Sequence, residues 1–228
     1  MARLARIVVP GLPHHVTARG NRREPIFFEA GDQELYLDIL AEETAKHDVA
    51  VWAYCLMPNH VHLILCPATA EGLARAIGQA HRRWANFINM RGRWRGHLFD
   101  SRYASVAMDE RHVLAAVRYV ALNPVRARLA LKATDWPWSS VHAHLKAEDD
   151  GLVVTAPVLA RTPDFAALIT GDPDDKAFTA IRAAERTGRP LGPREFVEDL
   201  ERLLGRPIAR RAAGRKRKVA AEPEGALL

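Results

Sequence analysis

The chain has 228 residues, enough for one full core plus an appendage. Its net charge of +6 and isoelectric point near 9.7 point to a polyanionic partner and say nothing about fold. Only two cysteines occur, Cys55 and Cys66, both inside apolar runs, which excludes a disulfide scaffold in favour of buried thiols. The opening MARLARIVVPGLP is broken too early by Pro10 for a secretory signal, and no apolar run reaches membrane-spanning length. A soluble, cytoplasmic protein is expected.

In chain order, residues 7–9 and 14–19 look extended, with Val16 and Ala18 alternating against His15, Thr17 and Arg19. After a turn at Gly20-Asn21, Asp32 is a plausible N-cap for a helix to about His47, with Leu35, Tyr36, Ile39 and Leu40 on its core face. Residues 49–56 and 60–66 read as two strands of an antiparallel hairpin joined by Met57-Pro58-Asn59. A second helix over roughly 70–90 places Leu73, Ile77, Ala80, Trp84 and Ile88 at helical spacing and stops near Gly92. Residues 97–107 read as a fourth strand, and a third helix runs from Asp109 until Pro124 ends it. The order strand, helix, strand, strand, helix, strand predicts an α+β domain with a ferredoxin-like split βαβ antiparallel sheet, helices on one face and a further helix trailing it.

From Trp136-Pro137-Trp138-Ser139-Ser140 onward the composition changes. Segments 146–151 and 170–176 are acidic and loop-like, whereas Phe178–Arg186 and Pro193–Leu204 look helical, the latter with Gly205 as its stop. A basic run, RPIARRAAGRKRK, follows, and the last ten residues have a disordered composition. The expected division is a catalytic domain over 1–145, a helical, basic DNA-binding extension over 146–218, and a tail over 219–228.

The chemistry centres on Met57-Pro58-Asn59-His60-Val61-His62-Leu63-Ile64-Leu65. Strand alternation sends His60 and His62 to one face, and Val61, Leu63 and Leu65 to the other. Such a pair can supply two ligands to one metal ion or merely cap a core strand, so the question is whether a partner exists. On the third helix Val113, Leu114, Val117, Val120 and Ala121 form a stripe for the sheet. His112, Ala116, Tyr119 and Asn123 form a second stripe off that face, with Tyr119 and Asn123 one turn apart. Taken alone, Tyr119 reads as a half-exposed surface tyrosine. Together the parts fit one reaction, in which the Tyr119 oxygen attacks a phosphodiester and forms a covalent protein–DNA link. A divalent cation on His60, His62 and the Asn123 amide oxygen would polarise the phosphate.

The segments HVTARGN, YCLMPNHVHLIL and RYVALNPVRARL, in this order, resemble the single-tyrosine HUH transposases. WPWSS and GRPLGPREF followed by a basic run narrow the resemblance to the bacterial REP-associated tyrosine transposases. It covers roughly residues 5–145 well and the tail more loosely. The resemblance implies His60 and His62 as the metal pair, Tyr119 as nucleophile and Asn123 in the metal-ligand position, where classical insertion-sequence members carry Gln. It further implies Mg2+ or Mn2+ as cofactor. The substrate would be single-stranded DNA in hairpins of repeated extragenic palindromes, and the product a 5′-phosphotyrosine with a free 3′-hydroxyl. The middle residue of the HUH signature is Val61 here, a common exchange in this group.

For DNA contacts, Arg75, Arg82, Arg83, Arg91, Arg93, Arg95 and Arg102, with His81 and His97, occupy a stretch whose single acid is Asp100. Trp84 is assigned to the core, and Trp94 to an aromatic platform of the kind on which single strands stack. Arg22 joins the same surface, Arg102 and His112 are candidate phosphate contacts, and Arg215, Lys216, Arg217 and Lys218 form a phosphate-binding arm. The rival reading is a domesticated, non-catalytic hairpin-binding protein, and a second rival is a metal nuclease in which water attacks. The sequence leaves monomer and homodimer equally open.

Overall fold

The computed structural model of the chain describes residues 6–170 and 175–209. Four strands, β1 (His14–Arg19), β2 (Val49–Met57), β3 (His60–Pro67) and β4 (Ala104–Ala107), form one antiparallel sheet in the order β2-β3-β1-β4. The helices are α1 (Asp32–Lys46), α2 (Gly72–Gly92), α3 (Glu110–Ala121), α4 (Asn123–Arg126), α5 (Val141–Lys146), α6 (Ala156–Leu159), α7 (Phe165–Thr170), α8 (Asp175–Thr187) and α9 (Arg194–Leu204). The α+β class and the split βαβ topology are those expected.

Alternation along the strands decides what each face does. Val16, Ala18, Val61, Leu63 and Leu65 pack with Tyr36 and Leu40 of α1 and with Leu73, Ile77 and Trp84 of α2. Both crossover helices therefore cover one face, as expected. The trailing helix lies on the other face, where Val113, Val117 and Val120 of α3 meet Ala53, Cys55, Met57 and Ile64. Phe178 and Ile181 of α8 join that same cluster, so the stretch after 146 shares a core with the sheet.

Several local expectations change. Asp32 opens α1 without being its N-cap, which is Gly31 in a left-handed conformation. Its buried carboxylate instead accepts from the Phe28 and Glu29 amides and pairs with Arg91. Residues 7–9 form no strand. The turn at Pro10-Gly11 and a bond from the Val9 amide to His14 Nε2 lead them away from the sheet, and Ile7 and Val9 pack on Leu200 of α9. The fourth strand begins at Ala104, because residues 98–100 bond instead to the chain leaving β1, through Asn21 N to Leu98 O and Asp100 N to Arg19 O. Both sheet edges are covered. Trp138 O and Ser140 N bond β2, while Leu191 bonds the Ala107 carbonyl and the Asp109 amide beside β4. Gly205 in a left-handed conformation ends α9, as its position suggested.

Candidate active site

The register of β1 on β3 places Thr17 opposite His62 and Arg19 opposite His60. His15, two residues back on the same face of β1, is therefore the diagonal neighbour of His62. Gly20 follows this strand, and a side chain there is excluded because a Cβ would collide with the Glu24 carbonyl. The His15 and His62 rings stack with centroids 5.2 Å apart, and His15 Nε2 lies 3.0 Å from His62 Nδ1. His60, half-buried at the start of β3, has its Nδ1 2.6 Å from Asn59 Oδ1 and its ring 4.9 Å from that of His62.

Tyr119 arrives from α3. Asp109 caps that helix, its carboxylate accepting from the His112 amide and pairing with the His112 ring, so His112 is held by the cap. The Tyr119 ring meets His62 edge-on at 5.7 Å and His15 at 5.8 Å. Tyr119 is 4 % exposed, where a half-exposed residue was expected. The difference lies in α8, whose Phe178 packs edge-on against the ring at 5.3 Å. Arg126 stacks over both rings, 4.5 Å from Tyr119 and 5.2 Å from Phe178. The helix carrying Tyr119 ends at Ala121, because Pro124 has no amide for the ladder. Asn123 thus opens α4, buried, with its side-chain NH2 lacking a hydrogen-bond partner among the described residues.

The sequence reading missed Glu185 of α8. Its Oε1 lies 3.4 Å from His15 Nδ1 and 3.8 Å from His62 Nδ1. His15, His62 and Glu185 offer one donor atom each within 4.8 Å of one another, a group compact enough for a divalent cation. The cue for Glu185 was its helical spacing from Phe178 and Ile181, which brings it to the buried edge of α8. For His15 the cue was alternation, which put it on the face of Thr17 and Arg19 that the histidine pair shares.

The electrostatics follow from burial. Desolvation lowers His15 to about 3 and His60 to about 4, helped at His60 by Arg19, and sets His62 well below the ordinary value. All three imidazoles are neutral near pH 7, the form that ligates metal. Burial also raises Glu185 to about 7, against the pull of Arg19, Arg126 and Arg182. The Tyr119 phenol is raised by burial and by Glu185, while the Arg126 guanidinium pulls it down.

The arginines divide. Arg83 pairs with Glu42 and Glu43, and Arg91 with Asp32 and Glu29. Arg22, Arg75, Arg82, Arg93, Arg95 and Arg102 are exposed. His81 is buried against Tyr36 and Phe99 and does not reach the surface as a DNA contact. Trp84 is in the core, its Nε1 donating to the Ile26 carbonyl, whereas Trp94 is half-exposed against Phe28. Arg215, Lys216, Arg217 and Lys218 lie outside the described residues. No helix among the described residues is long and apolar enough to cross a membrane.

The family described as IS200-like transposase matches residues 8–123, just over half of the chain. No curated protein matches at a significant level. Among solved structures, a REP-associated tyrosine transposase bound to a REP hairpin is similar with a TM-score of 0.54 at 18% identity. The match covers 68% of this chain and 89% of that one. A chain from Deinococcus radiodurans R1 assigned as a transposase matches at 19% identity and a TM-score of 0.37, covering 56% of this chain and 92% of its own. At these identities the first likeness speaks for the fold.

Proposed function

This chain belongs to the IS200-like transposase family, and from that premise we propose that it cuts and rejoins single-stranded DNA at hairpin-forming repeats through Tyr119. The observation that carries the reading is the edge-on seating of Tyr119 against both His62 and His15 on a buried, polar patch of the sheet. The Tyr119 oxygen attacks phosphorus as the phenol loses its proton, and the bond to the 3′ oxygen breaks. The DNA on the 3′ side stays on the protein as a 5′-phosphotyrosine, and the departing 3′ oxygen takes up a proton. No water enters, so the phosphodiester energy is retained for rejoining. Burial alone makes the phenol a poor nucleophile, and Arg126 over its ring favours the phenolate.

The donor set fits a divalent cation. A consistent proton assignment has His62 Nδ1–H donating to His15 Nε2, with the His15 proton on Nδ1 facing Glu185. His60 Nδ1–H likewise donates to Asn59 Oδ1. Both motif imidazoles are then tied through Nδ1 and present Nε2, as metal-ligating histidines do. His60, His62 and Asn123 would hold the ion, with His15 and Glu185 orienting His62. Mg2+ or Mn2+ bound there supplies Lewis-acid stabilisation of charge on the phosphate. A second reading is favoured by the compact His15–His62–Glu185 group, in which Glu185 is itself a ligand. Mn2+ titration separates them, because His60→Ala abolishes binding on the first reading and Glu185→Gln abolishes it on the second.

The function is tested with a hairpin oligonucleotide from palindromic DNA flanking the gene, labelled at either end and incubated with Mn2+. A denaturing protein gel should show an adduct carrying the 3′-side DNA. Cut DNA without adduct would indicate attack by water. Tight binding with neither product would indicate a hairpin-binding protein that does not cut.

A further inference from the structure

Around its histidines the candidate active site carries an excess of positive charge. Arg19 of β1, Arg126 of α4, and Arg182 and Arg186 of α8 all lie close enough to Glu185 to act on its carboxylate. One carboxylate cannot offset four guanidiniums, and its own ion-pair partners are the His15 and His62 imidazoles. All four arginines are exposed, and the Arg182 guanidinium donates to the neutral Thr179 hydroxyl at 3.1 Å. The charges fall at two ends. Arg126 stacks over Tyr119 at 4.5 Å and Phe178 at 5.2 Å. Arg182 follows Phe178 by one turn of α8 and also acts on the Tyr119 phenol, so both stand at the nucleophile. Arg186, one turn further on, lines a cavity of about 170 Å3 together with Arg19, His60, His62 and Glu185. That is below the size that encloses a whole small molecule and suits a single group such as a phosphate.

We propose that α8 is part of the catalytic machinery, with Arg182 and Arg186 gripping the non-bridging oxygens of the scissile phosphate between Tyr119 and the histidines. The proposal rests on the reading of this chain as a tyrosine transposase. Both arginines lie well beyond residue 123, where the match to the family ends. A phosphate attacked by the Tyr119 oxygen beside His60 and His62 has to lie between the two ends just described, and α8 spans them with one guanidinium at each. Guanidiniums without a carboxylate partner recognise an anion, and their planar forks match the oxygens of a phosphate. As the Tyr119 oxygen bonds to phosphorus and the bond to the 3′ oxygen breaks, negative charge grows at the phosphate. Guanidiniums fixed on a helix stabilise that state more than they stabilise bound DNA. The arginines exchange no proton and form no covalent bond. They hold the same oxygens once the 5′-phosphotyrosine has formed.

The test uses the full chain, Mn2+ and the palindromic hairpin carrying single-stranded tails. Arg182→Ala and Arg186→Ala should each slow adduct formation at saturating tailed hairpin about a hundred-fold. Hairpin affinity, read by anisotropy, should stay within about two-fold, and the unfolding midpoint should not move. Arg186→Lys, which keeps the charge and loses the fork, should recover part of the rate. A second substrate carries a methylphosphonate at the mapped cut position, so that one charged oxygen is replaced by methyl. On it the native chain should be slower, and either alanine variant should lose less than about two-fold more. The inference is overturned if the loss lies in affinity while the saturated rate is unchanged, as for a solvated DNA-binding face. A loss as large on the methylphosphonate as on the phosphodiester would also overturn it, because the arginines would then act through packing. Adduct from the native chain with both variants unimpaired would overturn this inference alone. No adduct from the native chain would overturn the tyrosine reading and this inference together.

Discussion

The two faces of one sheet are made by the same strands and do opposite work. On the α1/α2 face Val16, Ala18, Val61, Leu63 and Leu65 are closed into a dry core. On the α3/α8 face His15 and His62, from those same strands, are buried beside Tyr119 and Glu185. One residue of register separates packing from chemistry, and a slip of one would exchange them. The apolar face thus fixes the positions of the imidazoles, and the polar face carries the groups that burial holds neutral.

The largest expected effect comes from the polar face. Tyr119→Phe should lower adduct formation by on the order of a thousand-fold or more, since no other group replaces the nucleophile. Hairpin binding and the unfolding midpoint should hardly move, and a matching fall in stability would show that the tyrosine acts through packing. Leu63→Ala on the opposite face should do the reverse, destabilising the fold by about 2–5 kcal/mol in urea unfolding while the remaining folded protein still forms adduct.

Acid should act on both faces, since His14 and His81 lie on the α1/α2 side and His15 and His60 on the other. Burial lowers His14 and His60 to about 4, and His15 and His81 to about 3, against 6.5 for the exposed side chain. Between those values the unfolded chain binds protons that the folded chain refuses. Stability therefore falls as pH drops from 6.5 toward 4, by about 1.4 kcal/mol per pH unit for each such imidazole. Glu185, raised from 4.5 to about 7, has the opposite slope between those values and offsets one of the four. Urea midpoints at pH 7, 5.5 and 4.5 check the sign, and a midpoint that rises on acidification would contradict it.

Smaller effects sharpen the comparison. Glu185→Gln should weaken Mn2+ binding about ten-fold if the carboxylate only orients His62 through His15. Arg83→Ala, which removes a partly exposed ion pair with Glu42 and Glu43, should cost about 0.2–1 kcal/mol in stability. It should alter hairpin affinity less than Arg102→Ala does, a ranking that anisotropy can check.

What was legible in the sequence was whatever alternation or helical spacing encodes locally. The faces of β1 and β3, the sheet stripe of α3 and the core role of Tyr36 and Trp84 all follow from periods of 2 and 3.6. The covering of Tyr119 was not legible, because it depends on Phe178, some sixty residues away, folding back onto α3. Glu185 escaped for the same reason, since the helix holding it was read as part of a DNA-binding extension. Residues 97–107 read as one strand, whereas the backbone bonds of Leu98 and Asp100 go to Asn21 and Arg19 and the strand begins only at Ala104.

The central claim is a covalent bond to one oxygen, and the most direct test is to find that bond. Native chain would be incubated with the tailed hairpin and Mn2+, denatured, trimmed with nuclease, digested and mapped by mass spectrometry. The account predicts a nucleotide attached through its 5′-phosphate to the peptide holding Tyr119. A modified peptide elsewhere, or cut DNA ending in a free 5′-phosphate with every peptide unmodified, would contradict it.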